Sequence, residues 1–249
     1  EDRCKELCYN PLAPKVPIHN MIKWYGIYEK NKQSAENAPD NLDVVFVGDS
    51  IIEKFNGYDF GEVDKDAAEI TPIFKKYFSL EGGGSFEGHA LGIANDQTSN
   101  LLWRIQHEEL ADLNPKVWWL ETGTNNFMGN KVTCSDEVVT RGVIRIVEEI
   151  RELRPESKIV INGLFPRADK SISGRLYWKP RKSSEDYSNI WEGIELVNSD
   201  LKKYCEENVN LFYVDSSKIF IKENPEFGDG QDAKYIPNDL MEDHFHPTP

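Results

Sequence analysis

Val44-Val45-Phe46-Val47-Gly48-Asp49-Ser50 is the stretch that decides the fold. Four apolar residues, three of them β-branched, run without polar alternation and stop at Gly-Asp-Ser. Such a run, bounded by turn residues, reads as a strand buried on both faces of a parallel sheet. Three more runs have the same character: Val117-Trp118-Trp119-Leu120, Ile159-Val160-Ile161 and Leu211-Phe212-Tyr213-Val214. A weaker strand is expected over 89–94, after the glycine-rich loop 81–88.

Helical patterns separate these strands. From Thr98 onward, Leu101, Leu102, Ile105 and Leu110 fall on or near one face. Residues 135–153 carry the clearest helix, with Val139, Val143, Ile146, Val147 and Ile150 at i, i+3, i+4 spacing. Ser135 or Asp136 caps its start, and Arg154 follows its end. A third helix is expected over 191–208. Strand and helix alternate, which implies an α/β fold: a parallel sheet covered by helices on both faces. Upstream, Pro11, Pro14 and Pro17 break regular structure. Residues 1–40 therefore read as an N-terminal arm packed on a domain spanning 41–249, tied down through Cys4 or Cys8.

Composition narrows the function. The 249 residues include 43 acidic and 29 basic side chains, a formal net charge of −14. Nucleic-acid binding needs clustered Lys and Arg, so a nucleic-acid partner is not expected, nor is an anionic lipid surface. No apolar run approaches the ~20 residues of a transmembrane segment. Four cysteines (Cys4, Cys8, Cys134 and Cys205) and a first residue other than Met suggest a processed, secreted or lumenal protein with two disulfides, although four reduced thiols and a cytoplasmic location stay open. Only Cys4 and Cys8 lie close in sequence, so no zinc site is expected.

In parallel sheets, ligands bind beyond the carboxyl ends of the strands. Those ends carry Gly48-Asp49-Ser50, Ala94-Asn95-Asp96, Gly123-Thr124-Asn125-Asn126 and Gly163-Leu164-Phe165-Pro166-Arg167; Asp243-His244-Phe245-His246 follows near the C-terminus. One serine, several amides and an Asp-x-x-His are the parts of an acyl-transfer site. A serine hydroxyl needs a base to take its proton, and His246 suits that task. Asp243 suits the other imidazole nitrogen. The Ser50 N–H, a backbone N–H at Asn95 and the Asn125 amide are candidate oxyanion donors. Asp49, Gly123 and Arg167 are expected at the substrate edge, Asp49 through turn hydrogen bonds and Arg167 either toward an acidic group on the substrate or in a surface salt bridge. Trp178 and Trp191 are candidates for the substrate mouth.

These segments resemble the SGNH hydrolases, also called the GDSL esterase/lipase superfamily. Val-Phe-Val-Gly-Asp-Ser resembles the first block, 92–104 the second, Gly123–Asn126 the third and Asp243–Thr248 the last. Together with Gly163–Arg167, they most resemble the branch containing brain-type platelet-activating factor acetylhydrolase catalytic subunits. The resemblance implies a three-layer α/β/α sandwich of SGNH, flavodoxin-like type. It also implies Ser50 as nucleophile, Asp243 and His246 as its partners, and Ser50, Asn95 and Asn125 around the oxyanion. It implies no metal or organic cofactor. The expected reaction is hydrolysis of a small, acetyl-type ester of a lipid or glycan through an acyl-enzyme. Nothing in the sequence specifies an oligomeric state. One departure stands out: Asn95 occupies the place of a family glycine. Two alternatives stay open: a catalytically impaired binding or assembly subunit, which Asn95 and the few residues after His246 motivate, and an acyltransferase, which shares the first half-reaction.

Overall fold

A computed structural model describes residues 10–65, 67–127, 134–167, 190–223, 234–243 and 246–248. Cys4, Cys8, Trp178 and His244 lie outside the described residues. The first element is helix α1 (Met21–Glu36), followed by strand β1 (Val44–Gly48) and the one-turn helix α2 (Ser50–Glu53). A hairpin of β2 (Tyr58–Asp59) and β3 (Glu62–Val63) leads to helix α3 (Ala67–Phe78). Then come β4 (Gly88–Gly92), α4 (Thr98–Gln106), β5 (Val117–Glu121), α5 (Asp136–Leu153), β6 (Lys158–Asn162), α6 (Ile190–Glu206) and β7 (Leu211–Val214). A short helix α7 (Ser217–Phe220) and a hairpin of β8 (Lys222–Glu223) and β9 (Lys234–Tyr235) complete the described elements.

The main sheet has the order β4-β1-β5-β6-β7, with every pairing parallel. β1 lies between β4 and β5, and Gly48 pairs with both Gly92 and Glu121. All five β1 residues are buried, which is why the strand shows no alternation in sequence. On one face, Val45, Val47, Trp118, Leu120, Ile159 and Ile161 form a core with Leu101, Leu102 and Ile105 of α4, Val143 and Val147 of α5, and Ile194 and Val197 of α6. On the other face, Val44 and Phe46 meet Phe55, and Phe74 and Phe78 of α3. This is a central parallel sheet flanked by helices, as expected.

Four expectations change. The 1–40 segment contains a helix, α1, whose Trp24, Ile27 and Tyr28 are buried against Ile93 and Trp103. Their i, i+3, i+4 spacing is the signal for it. Helix α3 was not expected either. It contains Pro72, which removes one backbone donor and masks the helical pattern. The two-disulfide expectation is corrected: Cys205 is a free, buried thiol, so at most one pair forms within the chain. Cys134 is disulfide-bonded, and its partner lies outside the described residues. Trp191, expected at the substrate mouth, instead packs in the main core. No described helix is long and apolar enough to cross a membrane.

Candidate active site

The strand order places its switch point between β1 and β5, where open parallel sheets form their ligand crevice beyond the carboxyl ends. Ser50 follows β1 at this point. It is the first residue of α2, and Asp49 Oδ1 caps the helix by accepting the Ile51 N–H at 3.1 Å. Gly48 has no room for a side chain: a Cβ would stand 2.0 Å from the Glu121 carbonyl oxygen. The turn that presents Ser50 is thus held by backbone contact from below and by a cap from above.

His246 comes to this turn from 196 residues away. Its Nε2 lies 3.0 Å from Ser50 Oγ. Its Nδ1 lies 2.7 Å from Asp243 Oδ2, and its backbone N–H donates to Asp243 Oδ1 at 2.7 Å. A carboxylate on Nδ1 favours the tautomer with Nδ1–H, leaving Nε2 as the acceptor for the serine O–H. The loop carrying His246 is pinned by Thr248, whose N–H donates to the Leu240 carbonyl (2.9 Å) and whose hydroxyl donates to the Asp239 carbonyl (2.6 Å). Met241 anchors the same loop in the core.

Asn95 and Asn125 come from the neighbouring strand ends. Asn95 sits after β4 with φ 68, the left-handed region, and is exposed. Asn tolerates that conformation better than most residues. Asn125 lies in a 3-10 turn over Thr124–Phe127 and is buried. One of its two amide hydrogens goes to the Asp96 carbonyl at 3.0 Å, which leaves one for a ligand. Gly123, just before that turn, has φ 119, and a Cβ would meet Val139 Cγ1 at 2.9 Å. Its role in the structure is conformational.

The expected edge residues divide. Asp49 is fully buried and serves as the cap, and burial pushes its carboxyl up to about 7. Arg167 stands at the crevice, with Nη1 3.4 Å from the Thr124 carbonyl. Burial lowers its pKa, and the Asp243 carboxylate opposes that shift.

A buried network beneath the crevice escaped the sequence reading. Arg104 is fully buried and uses all five of its N–H donors. Nε and Nη2 hold Glu109 at 2.6 and 2.8 Å; Nη1 holds Asp96 at 2.8 Å and the Gly48 carbonyl at 3.0 Å; Nη2 also holds the Leu91 carbonyl at 3.0 Å. Trp24 of α1 adds its indole N–H to Asp96 at 2.6 Å. These bonds fasten the ends of β1 and β4 and the segment around Asn95. Nearby, Asn162 bonds the buried Glu121 carboxyl and accepts the Ser216 hydroxyl at 2.5 Å. Burial raises the Glu121 carboxyl well above its usual range. Among the described residues, no group of three or more His, Cys, Asp or Glu side chains is arranged to hold a metal ion.

A family model for the GDSL-like Lipase/Acylhydrolase family matches residues 46–249. The chain belongs to this family. Among its relatives are platelet-activating factor acetylhydrolase IB subunit alpha1 of Rattus norvegicus, 28% identical over 64% of this chain, and the subunit beta homolog of Drosophila melanogaster, 29% identical over 76% of this chain. The chain spans 59% of the rat relative's length and 74% of the fly relative's. Among solved structures, a GDSL-like lipase from Bacteroides thetaiotaomicron aligns with TM-score 0.60 at 16% identity, covering 89% of both chains. A carbohydrate esterase family 3 protein from Talaromyces cellulolyticus aligns with TM-score 0.52 at 14% identity, covering 83% of this chain and 88% of its own. These structural likenesses concern the fold.

Proposed function

We propose that this GDSL-like family member is a serine esterase that hydrolyses a small, acetyl-type ester of a lipid or carbohydrate. The observation that carries the reading is the linear arrangement Ser50 Oγ, His246 Nε2, His246 Nδ1, Asp243 Oδ2, with contacts of 3.0 and 2.7 Å.

His246 Nε2 takes the hydroxyl proton as Ser50 Oγ attacks the ester carbonyl. Asp243 stabilises the imidazolium so formed and remains ionised. The carbonyl oxygen becomes an oxyanion, received by the Ser50 N–H, the Asn95 N–H and the remaining Asn125 amide hydrogen. Ser50 N–H lies at a helix start, where no intrahelical acceptor exists. Each such donor is typically worth on the order of 3 kcal/mol. The tetrahedral adduct collapses, the ester C–O bond breaks, and the leaving alcohol takes the proton from His246. Water then repeats the sequence on the acyl-serine, with His246 as base, and releases the acid.

The geometry at Asn95 favours an active enzyme over an impaired one. Its left-handed φ keeps the conformation a glycine would take there, and its side chain is exposed. Arg167 supplies positive charge at the crevice for an acidic group on the substrate.

Hydrolysis of p-nitrophenyl acetate by wild type and by Ser50→Ala tests the reading. Loss of at least ~1000-fold in kcat/KM is expected in the variant. Equal rates would overturn it.

A further inference from the structure

Helix α2 begins at Ser50 and ends at Glu53, so a single turn joins the serine hydroxyl to a second acid. Glu53 is only 4% exposed. Its Oε2 accepts the Ala94 N–H at 2.7 Å and the Phe60 N–H at 3.0 Å, and its Oε1 accepts the Gly61 N–H at 2.7 Å. Three charge-assisted bonds from one buried carboxylate make a strong fastening.

The donors belong to two backbone segments in unfavourable conformations. Phe60 and Gly61 form the turn between β2 and β3, with φ 47 and 75. Ala94 immediately precedes Asn95, with φ 68. A non-glycine residue in this region costs on the order of 1 kcal/mol or more and persists only when its surroundings hold it there. Successive N–H groups of a turn form a concave donor pair suited to a carboxylate. The α2 backbone also touches the end of β4 directly: a Cβ on Gly92 would stand 2.2 Å from the Glu53 nitrogen. Burial raises the Glu53 carboxyl, and the three N–H bonds oppose that shift.

Nothing in the packing of α2 calls for an acid at this position. Ile51 and Ile52 supply its apolar contacts. Glu53 is covered by the hairpin turn and makes its bonds to backbone alone, so it works through the segments it ties.

We propose that Glu53 is a positioning residue that clamps the Ile93–Ala94 peptide, the unit just before the Asn95 N–H, to the Ser50 turn, and so holds the Asn95 N–H against the developing oxyanion. This rests on the esterase reading. The serine and one oxyanion donor then belong to one rigid unit, and Asn at position 95 keeps the conformation that donation requires.

Glu53→Gln tests the clamp, because it conserves shape yet sets an NH2 against at least one backbone N–H. The expected result with p-nitrophenyl acetate is a fall in kcat of about 10- to 100-fold with KM within about twofold. A trifluoromethyl ketone, which adds to the serine and places its oxygen as the oxyanion, is expected to lose affinity by the same factor as kcat. A folded Glu53→Gln with unchanged kcat and unchanged ketone affinity overturns the proposal. So does a rise in KM alone. If the variant does not fold, hydrogen exchange in the wild type decides: the Ala94 amide is expected to be among the slowest in 88–106, and rapid exchange there overturns the clamp. Ser50→Ala runs in parallel. Activity retained in Ser50→Ala refutes the esterase reading itself, whereas activity lost there with Glu53→Gln unaffected refutes only the clamp.

Discussion

The Trp24 indole N–H and the Asp96 carboxylate meet at 2.6 Å across 72 residues, joining the N-terminal helix to the segment that carries Asn95. Helix α1 thereby helps to hold the segment that follows β4. Trp24 also packs edge-on against Tyr25 and Trp103 and stacked on Tyr28. Trp24→Phe keeps most of this apolar contact and deletes the donor. A loss of about 1–2 kcal/mol is expected, since a buried carboxylate oxygen loses a partner. Urea unfolding checks it: the midpoint falls and the slope stays constant.

Arg104 predicts a larger effect. Its removal leaves Asp96 and Glu109 buried without their cation and takes one donor each from the Gly48 and Leu91 carbonyls. Breaking a buried ion pair from one side typically costs about 3–5 kcal/mol. Arg104→Met is expected to unfold at much lower temperature than wild type, measured by circular dichroism. Arg104→Lys rescues little, because a lysine cannot reproduce the bidentate hold on Glu109.

The parts legible in the sequence are those with a local signature. β1, β5 and β6 are read easily because their apolar runs carry no polar alternation; β1 is buried throughout, while Trp119 of β5 and Val160 of β6 are half-buried. Ser50, Asn125, Asp243 and His246 are legible because each ends or follows an element in a recognisable short block. Helix α1 is obscured because its buried residues, Trp24, Ile27 and Tyr28, are diluted by lysines and glutamates facing solvent. Helix α3 is obscured by Pro72. Arg104, Glu53 and Asp96 act through tertiary bonds to backbone groups, and no spacing in the chain encodes those. The expectation of a second disulfide failed for a related reason: cysteine count carries no distances, and Cys205 is buried in the core as a free thiol.

Asp49 predicts a pH dependence of stability. Burial raises its folded pKa from 3.8 to about 7. A carboxyl raised on folding binds its proton more tightly in the native state. Its contribution is present in full below the unfolded value and is lost as pH rises through about 7. Asp49→Asn keeps the oxygen that caps Ile51 and removes the titration. Wild type is therefore expected to lose stability relative to Asp49→Asn, by up to a few kcal/mol, between pH 4 and 7.5. Urea unfolding of both across that range measures it, and parallel curves would refute it.

Gly123 predicts a coupled loss of stability and activity. Its φ of 119 and the 2.9 Å approach of Val139 both exclude a Cβ. Gly123→Ala is expected to destabilise by about 1–3 kcal/mol and to lower kcat by displacing the Asn125 turn. A variant with wild-type Tm and wild-type kcat would contradict this.

The central claim is that Ser50 Oγ is made nucleophilic by His246 and Asp243. Fluorophosphonate labelling followed by peptide mass spectrometry tests it most directly. The account predicts one adduct, on the peptide containing Ser50, with labelling slowed at least ~100-fold in His246→Ala. An adduct on another residue, or labelling of Ser50 at the same rate without His246, would contradict it.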